Sequence, residues 1–244
     1  MRRLLPDPGP LDDDGLVDAY RLPDGRSVRV NFIVALDGSI TAGGRSGGLG
    51  TPGDRRIFNL LRALSDVVLV GAGTANAEGY RPVLADSPVG RLRASIGRPA
   101  TMPVAIVSRR GSLDPGSTLV TDAVAPTVLV TCAAADTDRR AALEAAGVTV
   151  LVCGEDDVDL PTALDRLAER GLEQVLCEGG PQLLHAALSA GVVDELDLSI
   201  APAVAGEKRL LDAAVPDAPR LELRQVLEED GVLFTRYGVR RALT

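Results

Sequence analysis

An α/β fold on a mostly parallel sheet, with antiparallel strands at the C-terminal end, follows from three observations. Short β-branched runs alternate with Ala-, Leu- and Arg-rich segments, glycines follow the helical runs, and two extended segments close the chain around Glu229-Asp230-Gly231. The 244 residues, 45% hydrophobic and 25% charged, suffice for one large domain with a sizeable core.

Residues 1–25, rich in Pro, Gly and Asp, read as an N-terminal arm that is poorly ordered or packs on the surface; residues 26–244 read as a single domain. The first strand is expected over Val28–Leu36, where Val and Ile alternate. Thr51-Pro52-Gly53-Asp54 opens a helix over Asp54–Leu64, with proline in the first turn. Buried strands follow at Asp66–Val70, Val104–Ser108, Thr127–Thr131, Val148–Val152, Gln174–Cys177 and Glu195–Ala201. Helices are expected at Asp138–Ala146, Pro161–Arg170 and Pro181–Ala190, each followed by a glycine (Gly147, Gly171, Gly191) that suits a helix C-terminus. Leu221–Glu228 and Val232–Tyr237 form the closing hairpin.

Composition excludes several functions. One His and three Cys, at positions 132, 153 and 177 with no C-x-x-C, cannot build a zinc centre of local spacing, and the thiols read as buried strand-end residues. A net charge of −8, with Lys208 the sole lysine, argues against nucleic acid as a partner but leaves room for one anion in a locally basic pocket. No signal-like or membrane-spanning run occurs, so a cytoplasmic protein is expected.

Four strand ends carry the candidate chemistry. Val67–Val70 runs into Gly71-Ala72-Gly73-Thr74, a tight turn or a place where a ligand approaches the backbone. Gln174–Cys177 runs into Glu178-Gly179-Gly180-Pro181, where free N–H groups at a helix start suit a phosphate. Val104–Val107 delivers Ser108-Arg109-Arg110, a hydroxyl and two guanidinium groups that favour the 2′-phosphate of NADP over NAD. The fourth, Ala35-Leu36-Asp37-Gly38, is a turn or a site for a carboxylate. Together they suggest a nucleotide across one sheet edge. His185, early in the helix after Pro181, reads as a packing residue or a phosphate contact.

These residues resemble the reductases of riboflavin biosynthesis. The likeness rests on Leu36-Asp37-Gly38, on the run from Leu61 to Thr74, on Glu178-Gly179-Gly180-Pro181 and on the run from Gly191 to Pro202, over residues 28 to 240. It implies a dihydrofolate reductase-like three-layer sandwich, a homodimer, and reduction by NADPH of a ribosylamino-pyrimidine, with the cofactor supplying the hydride. The cofactor is then held by Val34, Ala35, Gly71, Gly73, Thr74 and Glu78, by Ser108 and Arg109, and by Gly179, Gly180, Pro181, Gln182, Leu183 and Leu184. Substrate lies beside Asn31, Ser46, Arg62, Tyr80 and Glu178, with Glu178, Asp37 and Glu78 as catalytic carboxylates and no metal.

The chain departs from the family in three ways. It carries no zinc deaminase domain, and Asn31 stands where many members have Lys. Glu78-Gly79-Tyr80-Arg81-Pro82 replaces Asp-Asp-Pro. Two alternatives follow: reduction of dihydrofolate or a pterin on the same scaffold, or a non-catalytic NADP-binding module. A carboxylate can orient a 2-aminopyrimidine ring by paired hydrogen bonds, and Phe32, Phe58 and Tyr80 are the rings available to lie against a flat heterocycle.

Overall fold

Strand Val67–Gly71 reads Val-Val-Leu-Val-Gly, and its alternate side chains serve two cores. Val68 and Val70 pack with Leu60, Leu61 and Ile106, while Val67 and Leu69 pack with Leu164, Leu183 and Leu184. A strand apolar on both faces needs helices above and below it.

The computed structural model describes residues 1–240 and supplies those helices. In chain order the elements are β1 (Arg2–Leu5), β2 (Gly9–Pro10), α1 (Asp13–Tyr20), β3 (Ser27–Ala35), α2 (Pro52–Leu64), β4 (Val67–Gly71), α3 (Ala72–Glu78), α4 (Pro88–Ser95), β5 (Val104–Val107), α5 (Thr118–Thr121), β6 (Val128–Thr131), α6 (Thr137–Ala145), β7 (Thr149–Val152), α7 (Leu160–Ala168), β8 (Gln174–Cys177), α8 (Pro181–Ser189), β9 (Glu195–Ala201), β10 (Arg220–Glu229) and β11 (Val232–Arg240). The strands form one sheet in the order β2-β1-β10-β11-β9-β3-β8-β4-β5-β6-β7. From β9 to β7 every pairing is parallel, and from β9 outward through β11, β10, β1 and β2 every pairing is antiparallel. Residues from α1, α2 and α4 pack on one face and residues from α7 and α8 on the other, which is the expected three-layer α/β arrangement.

The expected strands and helices form within a residue or two of their expected ends, except that the last strand runs three residues beyond Tyr237 to Arg240. The hairpin turns at Asp230 (φ 54°) and Gly231 (φ 80°), two left-handed positions that match the twist of the flanking strands. The N-terminal segment is neither loose nor merely superficial. β1 pairs with β10, β2 pairs with β1, and α1 buries Leu16, Val17 and Tyr20 against the core. Asp12, inside the acidic run, caps α1 by accepting a hydrogen bond from Gly15 N at 2.8 Å. Residues 241–244, the end of the expected domain, lie outside the described residues.

Beneath α1 the sheet carries a buried charge cluster. Arg29 Nε lies 2.7 Å from Glu195 Oε1 and 3.1 Å from Asp197 Oδ2, Arg236 Nη2 lies 2.8 Å from Glu195 Oε2, and Arg29 donates to the Tyr20 carbonyl at 2.7 Å. Arg29, Glu195 and Asp197 are each at most 2% exposed.

Candidate active site

The parallel strands end on one edge of the sheet, and β8 inserts there between β3 and β4. At such a change of direction the following segments diverge and leave a crevice. Here it is a cleft of about 1240 Å³. That exceeds the roughly 300–1,000 Å³ of ordinary small-molecule sites and leaves room for two ligands side by side.

One half of the cleft is made of backbone turns. Gly71 N donates to the Gly179 carbonyl at 2.7 Å, so the turns after β4 and β8 lock together. A methyl group on Gly180 would sit 2.4 Å from Thr74 Oγ1, and one on Gly179 would sit 2.2 Å from Phe32 Cζ. Gly179 also has φ +79°, and the Gly179–Gly180 peptide is cis. The left-handed backbone and the Phe32 ring together require glycine at Gly179, whereas at Gly180 a methyl group is opposed by the Thr74 hydroxyl. Gly71-Ala72-Gly73-Thr74 is not a free turn: Gly71 caps α3, and Ala72 onward is helical.

Gly180, Pro181, Gln182 and Leu183 line the cleft at the start of α8, whose cap residue Gly180 supplies no side-chain acceptor. Ser108, Arg109 and Arg110 line it from the end of β5, together with Gly71, Gly73 and Thr74. Ser108 Oγ accepts from Ser112 N at 2.8 Å, and Arg109 Nε donates to the Asp156 carbonyl at 2.8 Å. Uncapped N–H groups at the start of α8, the glycine-bearing start of α3 and two guanidinium groups on one wall fit a phosphorylated dinucleotide. Val34, Ala35, Gly179 and Leu184, also assigned to the cofactor, do not line the cleft; Val34, Ala35 and Leu184 are buried behind it.

The other half is made of side chains from α2, from β3, from the segment after α3 and from the end of β8. On α2 the residues Asp54, Phe58 and Arg62 recur every fourth position and so share one edge of the helix. Arg62 and Glu178 form a two-pronged pair, Nε to Oε1 and Nη2 to Oε2, both 2.7 Å, and Tyr80 Oη donates to Glu178 Oε2 at 2.5 Å. Burial, and then the charge of Glu178, push the Tyr80 hydroxyl well above its ordinary range, so it stays a donor. The Arg62 guanidinium lies 4.3 Å from the Phe58 ring centre and 5.2 Å from that of Tyr80. Phe32, Phe58 and Tyr80 all line the cleft.

The expected site residues do not all converge. Asn31, Ser46, Glu78, Tyr80 and Glu178 line the cleft, whereas Arg62 stands behind Glu178 and does not. Glu78 Oε1 accepts from Ser46 N at 3.2 Å. Asp37 is outside the cleft and serves its turn: Oδ2 accepts from Gly206 N at 2.7 Å and from Ser39 Oγ at 3.0 Å. The Gly206 N–H, with Ser39, holds its carboxyl down to about 2. His185 is a packing residue, with Nε2 2.9 Å from the Ala214 carbonyl, and the three cysteines are free and buried. The strand-end reading missed Asp54, Arg55 and Asn59, which reach the cleft from a helix. Their signal was the α2 periodicity, with Ile57, Leu60, Leu61 and Leu64 facing the core.

Among the described residues no helix is long and apolar enough to cross a membrane. Over 222 residues the chain is 32% identical to the 2,5-diamino-6-ribosylamino-4(3H)-pyrimidinone 5′-phosphate reductase of Methanothermobacter thermautotrophicus, covering 87% of this chain and 98% of that one. The reductase of the same name from Archaeoglobus fulgidus is 28% identical over 180 residues, 73% of this chain and 81% of that one. A solved pyrimidine reductase-like protein of Corynebacterium diphtheriae superposes with a TM-score of 0.77 at 31% identity, over 88% of this chain and 92% of that one. RibD of Acinetobacter baumannii shares the fold, with a TM-score of 0.69 at 23% identity over 89% of this chain and 59% of that one. Residues 26–232 match the RibD C-terminal domain, a span that takes in every glycine turn and both helices around the cleft. The chain therefore belongs to the RibD C-terminal domain family and is a reductase.

Proposed function

We propose that the protein is an NADPH-dependent reductase of 2,5-diamino-6-ribosylamino-4(3H)-pyrimidinone 5′-phosphate. The observation that carries this reading is the two-part cleft, with turns and guanidinium groups on one side and an aromatic, carboxylate-bearing wall on the other. The relatives named for that substrate match this chain over most of their length.

The start of α8 and Ser108, Arg109 and Arg110 would hold the dinucleotide phosphates, and Gly71, Gly73 and Thr74 would let its backbone approach closely. When bound, NADPH would supply the hydride to the amine-bearing ribosyl carbon, whose bond to the ring oxygen breaks while that oxygen takes a proton from solvent, leaving NADP+ and an open ribityl chain. The protein aligns donor and acceptor and excludes water from between them. Glu178 acts in this site as a positioning residue, because both its oxygens are engaged by Arg62 and Tyr80.

The test is incubation of the purified protein with NADPH and the ribosylamino-pyrimidinone phosphate. Loss of reduced-nicotinamide absorbance matched by ribitylamino product is the expected result. Binding of NADPH without oxidation at high enzyme concentration would instead favour a non-catalytic module.

A further inference from the structure

Three free cysteines are buried at the ends of sheet strands, and the proposed reaction uses none of them. Two are neighbours. β6 and β7 pair in parallel, Val130 opposite Leu151 and Thr131 opposite Val152, so Cys132 and Cys153 stand on the next rung. The chains stay paired there: Cys153 N donates to the Thr131 carbonyl at 2.7 Å, and Ala133 N to the Gly154 carbonyl at 2.9 Å. Val130, Leu151 and Cys153 belong to one core, and alternation along β6 turns Cys132 to that same face. Paired strands lie about 4.8 Å apart, within the roughly 4.4–6.8 Å that a disulfide spans between α-carbons. Cys177, on β8, is three strand spacings from β6, about 14 Å, and is out of reach.

Both cysteines lead into the guanidinium wall of the cleft. Cys132 Sγ donates to the Arg109 carbonyl at 3.5 Å. Cys153 opens the segment whose Asp156 carbonyl accepts from Arg109 Nε at 2.8 Å and whose Asp157 and Val158 line the cleft beside Ser108.

We infer that Cys132 and Cys153 form a redox switch, closing to a disulfide under hydroperoxide and thereby loosening the wall that carries Ser108 and Arg109. One thiolate attacks the hydroperoxide, becoming a sulfenic acid and releasing water or an alcohol. The second thiol attacks that sulfur, the S–S bond forms, and the hydroxyl leaves as water; a dithiol reverses the step and is itself oxidised. The disulfide has no S–H, so the Arg109 carbonyl loses its donor, and the Cys132 sulfur is drawn toward β7. Burial pushes the Cys153 thiol up and keeps it unreactive while the sheet is closed. Access comes by local opening of β7, a four-residue edge strand with only Leu151 fully buried. The effect on cofactor affinity rests on the proposed NADPH reading; the disulfide and the loosened wall do not.

The reduced protein is treated with hydrogen peroxide and mapped by mass spectrometry. One link is expected, between the peptides of Cys132 and Cys153, released by dithiothreitol, with Cys177 still a thiol. Hydrogen exchange reads the wall at Gly111 and Ser112, whose N–H groups donate to the Ser108 carbonyl and hydroxyl. Exchange at both should quicken about threefold or more on oxidation, and the NADPH dissociation constant should rise by a similar factor. Cys132→Ala and Cys153→Ala should each abolish the link and both responses, and Cys177→Ala should keep them. Cysteines oxidised to sulfinic acid without a link, a link through Cys177, or a link that leaves exchange at Gly111 and Ser112 unchanged overturns the inference. If the reduced protein binds no NADPH, the proposed cofactor is wrong, while mapping and exchange in the unmodified chain still decide the switch.

Discussion

Arg62 and Glu178 meet edge to edge, with both contacts at 2.7 Å and the Glu178 side chain 2% exposed. The pair joins α2 to the end of β8, and so fixes the wall of the cleft to the turn that carries Gly179 and Gly180. Breaking a buried pair from one side strands the other charge. Arg62→Met should therefore cost about 3–5 kcal/mol of unfolding free energy. The double variant Arg62→Met/Glu178→Gln should recover much of that loss, because no charge is left unpaired. Urea unfolding of the three proteins measures both effects; equal stability of the single and double variants would show that the pair is not the cause.

Gly179 and Gly180 should tolerate alanine unequally. The methyl of Gly180→Ala would meet Thr74 Oγ1 at 2.4 Å, but the next Thr74 atom is 3.8 Å away. A second change, Thr74→Ala, should then restore stability. Gly179→Ala has no such relief, since it combines φ +79° with contact to the Phe32 ring at 2.2 Å. Its melting temperature should fall further than that of Gly180→Ala, and removing the Thr74 hydroxyl should not rescue it. Thermal melts of the four variants rank the two positions.

The sheet was legible because burial on both faces leaves a clear mark. Val67–Val70, Val104–Val107 and Val128–Val130 are uninterrupted apolar runs, and glycines punctuate the helices between them. The N-terminal strands were not, because Arg2–Leu5 is an edge segment with charged and exposed residues whose order comes from pairing with β10, more than 200 residues later. The site divided in the same way. Turn residues after β4, β5 and β8 could be read locally, but which carboxylate faces the cleft depends on partners distant in sequence. Arg62 engages Glu178 across 116 residues and Gly206 engages Asp37 across 169, and neither pairing has a local signature. Asp54 was hidden by its position, since an acidic residue in a helix's first turn is ordinary.

Ser108, Arg109 and Arg110 should set the choice between NADPH and NADH. Arg109 uses Nε on the Asp156 carbonyl, and Ser108 Oγ accepts from Ser112 N, so each still has donors to offer a phosphate. Ser108→Ala/Arg109→Ala should reduce the NADPH preference by about tenfold or more, chiefly by weakening NADPH. Dissociation constants for both nucleotides, by fluorescence titration, give the ratio. Equal affinity of the unmodified protein for the two would remove these residues from cofactor selection.

Glu207 clasps the segment after β3 that lines the cleft. Its carboxylate accepts from Thr41 Oγ1 at 2.7 Å, Gly43 N at 2.8 Å and Gly44 N at 3.1 Å, and Thr41 and Gly44 line the cleft. These donors, the Thr41 hydroxyl foremost, hold the carboxyl below its usual range. Glu207→Ala removes the clasp without touching the core. KM for the substrate should rise by about two- to tenfold with little change in kcat, because the loss is of loop order before binding. A fall in kcat at unchanged KM would place Glu207 in the chemistry instead.

Asp197 should give the stability curve an unusual slope. Burial, resisted by Arg29 and reinforced by Glu195, pushes its carboxyl up to about 7, whereas an unfolded Asp titrates near about 3.9. Between these values the folded chain keeps a proton that the unfolded chain has lost. Stability from this group therefore falls as pH rises from about 4 toward 7 and is level above that. Asp37, Glu207 and Asp159 act in the opposite sense, since each titrates lower than its ordinary value and loses its contribution only in acid. The comparison that isolates Asp197 is with Asp197→Asn, which has nothing to titrate beside Arg29. Relative to the unmodified protein, that variant should become progressively more stable on going from about pH 5 to about pH 8. Urea midpoints across this range read the difference directly; two curves that stay parallel would mean that Arg29 and Arg236 keep Asp197 ionised throughout.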